Sequence, residues 1–275
     1  MNLPGRSFLV LVLVATFGQG LVRGTGAGGG EPNAALSPQL SQLLDRVEKR
    51  GADLKSFQAD MTFEQRQLLL DAVTLRHGWL CYQADDQAVR FRIHFADWLQ
   101  RDLAQDSPPK PLKFDEDFAF DGLWLTRRNE RTKSLQRVEI TKTAHHREDF
   151  RLGKGPFPLP FALRRSDVLA EFDLRLPAPD PNDPRDADHL LLIPKPGTAF
   201  AEKYLRLELW LGRGDSLPRQ LRYETDDAEL TTITWSAIQT DKALAADRFQ
   251  LKPAGPDWDI EATPLPERSS APGTK

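Results

Sequence analysis

The 275-residue chain carries 37 Lys+Arg against 40 Asp+Glu, and a formal net charge of −3 argues against a nucleic-acid binder, which would normally carry a basic face. Its single cysteine, Cys81, excludes an intramolecular disulfide and any multi-cysteine metal centre. With 40% hydrophobic and 28% charged residues, the composition is that of a globular chain rather than a disordered one.

Residues 1–26 read as a signal peptide. Arg6 supplies a positive start, Phe8–Phe17 is an unbroken apolar run, and small residues follow. The run is too short to span a bilayer core of about 30 Å as a helix, and it fits the apolar region of an export signal. Cleavage is expected after Gly20 or within Gly24–Ala27, and the destination is the periplasm. Residues 27–36 read as a flexible linker, 37–263 as one domain and 264–275 as a disordered tail.

Ser37-Pro38 marks a helix start. Leu40, Leu43, Leu44 and Val47 then fall on one face, Lys49 and Arg50 suit the negative end of the dipole, and Gly51 is expected to stop the helix. From there the period becomes two. Phe57, Ala59, Met61 and Phe63 alternate with polar residues. Val73, Leu75, His77, Trp79 and Cys81 form a second set, and Val89, Phe91, Ile93 and Phe95 a third. Phe118 and Phe120 lead into Asp121-Gly122, a hairpin signal, followed by Leu123-Trp124-Leu125. Further strands are expected at Ser134–Ile140, Phe172–Leu176, His189–Ile193, Tyr204–Leu211, Gln220–Thr225, Glu229–Ile238 and Phe249–Leu251. Gln105–Lys113 and Pro177–Asp188 are too rich in Pro and Asp for strands. Gly153–Leu163 is an apolar segment punctuated by Gly and Pro, and Arg165–Phe172 a short helix capped by Ser166. The expected fold is mainly β (α+β): an incompletely closed antiparallel β-barrel of about ten or eleven strands with covering helices.

The familiar catalytic patterns are missing. The chain has no Gly-x-Ser-x-Gly elbow, no His-Glu-x-x-His, no phosphate-cradling loop and no dinucleotide fingerprint. His145–Asp149 is the one cluster to weigh for a metal. Neighbouring histidines on a strand face opposite ways, so it reads as a solvated loop. Cys81 reads as a small buried hydrophobe. The expectation is a non-enzyme with no cofactor and no metal.

Several strings in order resemble the periplasmic lipoprotein carrier family LolA. They are Leu54-Lys55-Ser56-Phe57-Gln58-Ala59-Asp60-Met61, then Gly78-Trp79-Leu80-Cys81-Tyr82 and Arg90-Phe91-Arg92. Phe120-Asp121-Gly122-Leu123-Trp124-Leu125 follows, then Leu217-Pro218, Thr231-Thr232-Ile233-Thr234-Trp235 and Phe249-Gln250-Leu251-Lys252-Pro253. The resemblance implies a half-closed barrel with a helical lid over an apolar cavity that binds lipoprotein or lipid acyl chains. It also implies membrane-bound donor and acceptor proteins. The cavity and lid residues it assigns are Leu40, Leu43, Leu44, Val47, Met61, Phe63, Trp79, Phe91, Ile93, Phe120, Trp124, Leu207, Leu209, Ile233 and Trp235. Two features depart from the pattern. Tyr82-Gln83-Ala84-Asp85-Asp86 stands where the family has an Arg-Pro pair, and Trp98–Phe118 is longer than the usual connection. They point to a divergent member with another lipid-like ligand, or to a sensor rather than a shuttle, and the protein is expected to be a monomer. The alternative is an envelope sensor that binds a protein partner with the same face.

Overall fold

The computed structural model describes residues 36–85, 88–102, 111–143, 161 and 163–265. The expected leader, the linker short of Leu36, His145–Asp149, most of Gly153–Leu163 and the tail beyond residue 265 lie outside the described residues.

Helix α1 spans Pro38–Asp53, with the Ser37 side chain accepting from the Leu40 amide and Pro38 in the first turn. It runs past Gly51, where the sequence predicts a stop. Gly51 does not adopt a left-handed conformation, and the chain leaves the helix only as the fully buried Leu54 enters the sheet core. A meander follows: β1 (Ser56–Gln67), β2 (Ala72–Ala84), β3 (Val89–Asp102), β4 (Leu112–Phe120), β5 (Trp124–Asn129) and β6 (Ser134–Glu139). Helix α2 (Arg165–Glu171) opens a second meander of β7 (Phe172–Arg175), β8 (Ala187–Pro194), β9 (Arg206–Gly212), β10 (Pro218–Glu224) and β11 (Glu229–Thr240). Ser166 lies inside α2 and does not cap it; Arg164 stands at the cap position and makes no side-chain cap bond.

Among the described residues these strands and a last one, β12 (Asp259–Thr263), form one twelve-stranded sheet, in the order β12-β6-β5-β4-β3-β2-β1-β11-β10-β9-β8-β7, that does not close into a barrel. The two meanders meet where β1 pairs with β11. All pairings are antiparallel except the last: β12 lies parallel to β6. All five of its residues are exposed, so no alternation betrays it in the sequence. Where a strand is expected over Phe249–Leu251, Phe249 instead closes a 3-10 turn, Ala246–Phe249, and the segment is not part of the sheet. Gly122, at φ +108°, and Leu123 are the central residues of the β4–β5 turn, while the Asp121 carboxylate accepts the Leu123 and Trp124 amides. The turn therefore sits one residue beyond Asp-Gly.

A register shift between Leu75 and Gly78 marks a bulge where β2 meets β3. An added Cβ at Gly78 would stand 1.8 Å from the His94 carbonyl oxygen, so only glycine fits this close approach. The same irregularity brings Trp98 round to the face of Phe95.

Candidate functional site

Two apolar clusters divide the expected site residues. The first lines the concave face of β1–β5 and β11. Met61, Phe63, Phe91, Phe120, Ile233 and Trp235 are buried there among Phe57, Tyr82, Phe95 and Phe118, and Ile93 packs against them. The second gathers Leu40, Leu43, Leu44 and Val47 of α1 with Leu209 and residues of α2, β7 and β8, and Leu207 packs against it. The helix expected as a lid thus has its apolar face in the second core, which adjoins the first at Leu221. Arg46 with Asp188, Arg50 with Asp241, and Arg165 with Asp45 tie it down.

Trp79 and Trp124 belong to neither cluster. Their neighbours Leu80, Tyr82 and Leu125 point inward, so both indoles stand on the convex side. Trp79 packs on His94 and lies under the Arg92 and Arg248 guanidiniums, and Trp124 under Arg137. Across this convex side runs the C-terminal segment. Arg92 donates to the Gln250 carbonyl at 2.7 Å, Arg128 to that of Lys252 at 3.1 Å, and Arg128 stacks on Trp258.

At one end of the concave face, Phe161 covers the first cluster. Its ring stacks on Phe57 with centroids 5.0 Å apart and meets Tyr82 edge-on at 4.7 Å. Phe161 comes from the apolar segment between the meanders, and Leu163, two residues on, enters the second cluster. From Phe57 to Phe63 the face extends roughly 20 Å at about 3.3 Å per residue.

The other end is charged. Glu116 is fully buried. It accepts from Arg76 Nη1 at 3.0 Å, Arg127 Nε at 2.8 Å and Asn129 Nδ2 at 3.2 Å, with Arg127 Nη2 at 2.7 Å. Burial pulls the Arg76 guanidinium below its ordinary value, aided by Arg127 and opposed by Glu116. Arg76 also lies over the rings of Phe95 and Phe114, at 5.7 and 4.9 Å. Arg131 approaches Phe114 and Trp98 from the exposed side, at 5.7 and 5.9 Å. Sequence reasoning missed this group. Alternation in β2 predicts His77 and Trp79 inward, whereas Arg76, Leu80 and Tyr82 face in, opposite Phe63, Ala59 and Phe57.

Two further groups lie away from the concave face. His94, Asp115 and Asp117 bring ligand atoms within 4.8 Å of one another. Asp117 is already engaged by Arg92 Nε at 2.9 Å and faces His94 Nδ1 at 3.0 Å. Burial alone would raise the Asp117 carboxyl; hydrogen bonds from His94 and Arg92 and their charges outweigh it and hold it below the usual range. A polar cleft of about 540 Å³ separates the start of α1 from the proline-rich loop before β8, with Gln39, Gln42, Arg46, Asp183, His189 and Arg213 in its walls. Cys81 is buried, and burial pushes its thiol up to about 11, so it packs as a small apolar side chain.

No family model matches the sequence, and no curated protein matches it. Solved structures with a similar fold include an uncharacterized conserved protein from Thermus thermophilus, at 16% identity over 82% of this chain and 99% of that one, TM-score 0.44. They also include the Pseudomonas aeruginosa MucA/MucB complex, at 18% identity over 77% of this chain and 60% of that one, TM-score 0.42. A LolA superfamily protein from Nitrosomonas europaea is similar at 10% identity over 77% of this chain and 97% of that one, TM-score 0.33.

Proposed function

We propose that the protein is an exported binding protein that takes the acyl chains of a lipoprotein or lipid along the concave aromatic face. The observation that carries this reading is the cover at Phe161. A sheet that leaves its barrel open has its aromatic face closed at one end by a ring from outside the sheet. The Phe161 ring takes the role of displaceable cover, and α1 remains with its own core.

Magnitudes favour exchange. Burying a CH₂ group is worth about 0.8 kcal/mol, so a fourteen-carbon chain gains roughly 11 kcal/mol before association costs. A single covering side chain is worth about 1.5–3 kcal/mol. The gross gain from the chain exceeds what the one ring contributes, and association costs of about 4–15 kcal/mol set how much of it appears as affinity.

Mass spectrometry of the protein purified from a bacterial envelope, with displacement of a fluorescent fatty acid in solution, tests the reading. Copurified acylated molecules and tighter probe binding by Phe161→Ala are expected. Absence of both lipid and probe binding would sink it. Stable capture of one unlipidated protein in their place would install the sensor alternative.

A further inference from the structure

The concave face is apolar except at its charged end, and there the charges do not balance. Glu116 is one carboxylate facing two guanidiniums, Arg76 and Arg127. Arg131, a third, stands over Phe114 and Trp98 and makes no ion pair among the described residues. A structural ion pair accounts for Glu116 and its partners. It does not account for the surplus of positive charge beside four aromatic rings.

Hydrogen bonding shows the same excess. Arg76 Nε and Trp98 Nε1 are both buried without an acceptor among the described residues, and Arg76 is only 7% exposed. Trp235 Nε1, further along the concave face, is a third such donor. Buried donors left unpaired are costly, and these three are all N–H groups on one face. Phe114 touches Arg76, Arg131 and Trp98, so the donors and cations of the charged end gather round one ring.

We propose that Arg76, Trp98 and Arg131 form a subsite for the anionic head group, carboxylate or phosphate, of an amphiphile whose tail lies along the concave face toward Phe161. This rests on the acyl-chain reading and adds the class of head group and the direction in which the ligand lies. The head accepts from Arg76 Nε and Trp98 Nε1, and Arg131 closes over it from the solvent side. Glu116 keeps Arg76 and Arg127 in place and touches no ligand.

Calorimetry on the full chain tests the subsite with four probes: myristate, myristoyl lysophosphatidate, myristyl alcohol and inorganic phosphate. The two anionic amphiphiles should bind at least about tenfold tighter than the alcohol, the gain expected of one charge-assisted hydrogen bond. The stronger of the two identifies the head group. Arg131→Gln, at an exposed position, and Trp98→Phe, which removes the N–H and keeps an aromatic ring, should each erase most of that preference. Arg131 is exposed, so its replacement should leave the melting temperature nearly unchanged, and its loss of preference reports on the subsite and not on folding. Equal affinity for acid and alcohol would overturn the subsite and leave the acyl-chain reading standing. Failure of all three amphiphiles would overturn both. Inorganic phosphate binding as tightly as the amphiphiles would assign the corner to a free anion and overturn the proposed orientation.

Discussion

Leu44→Ala asks whether α1 is core or lid. Leu44 is 3% exposed and shares its cluster with Val168, Leu190 and Leu211, none of which is exposed at all. Leucine-to-alanine changes in such settings cost about 2–5 kcal/mol, the figure rising with the volume the surroundings fail to fill. Here they fail to fill it. Strands β8 and β9 are held in register by their ladder, and ion pairs from Arg46, Arg50 and Asp45 hold the helix. The loss should therefore fall in the upper half of that range, about 3–5 kcal/mol. At about 2–4 °C per kcal/mol for a domain of this size, the melting temperature drops by roughly 6–20 °C. Urea denaturation gives the stability loss, and titration with a fluorescent fatty acid on the same variant gives the affinity. A loss below about 1 kcal/mol accompanied by tighter probe binding would show α1 to be a mobile plug, and the core assignment would be wrong.

Gly78→Ala should fail to fold or melt far below the parent, because its Cβ meets the His94 carbonyl and not a side chain that can swing away; expression with circular dichroism reads it. Asp117 has its carboxyl held low in the folded state, so its contribution is present above the unfolded value of about 3.9 and is lost as pH falls through the folded value. Asp117→Asn should accordingly be less stable at neutral pH and show a shallower loss between about pH 5 and 2; an unchanged acid limb in urea melts would contradict the assignment. Leu68, Leu69 and Leu70 in the β1–β2 turn are 51%, 80% and 70% exposed, so replacing all three with Ser should raise solubility and move stability by no more than about 0.5 kcal/mol each. A larger fall in melting temperature would mean that the leucines pack against something.

Helix α1 and most strands could be read in advance because each carries one unbroken period: Leu40 to Val47 on a stripe, Phe57 to Phe63 in alternation. Phase was harder than period. In β2 both faces hold large apolar groups, with Leu80 and Tyr82 against Trp79 and Cys81, and hydrophobicity cannot say which set faces in. The convex indoles are apolar in composition but owe their cover to Arg92, Arg137 and Arg248, partners distant in sequence. Arg76 and Glu116 stay hidden for the converse reason. Each looks like a solvated charge until the fold brings them together across 40 residues.

The pairing of β1 with β11 sets an order of events for the growing chain. The nearest of its partners in sequence, Gln67 and Glu229, close a loop of about 160 residues. Asp241 then clasps the seam, accepting from the Lys55 amide at 2.9 Å and from Arg50 at 2.9 Å, while the Ser56 hydroxyl donates to the Lys242 carbonyl. Until those last residues arrive, β1 is an edge strand with one row of amides and carbonyls unpaired, open to pairing with other chains. Closure over so long a contour pays its entropy before any contact across the seam rewards it. The half-made sheet therefore has a period of exposure that ends only when the chain beyond Glu229 is in hand.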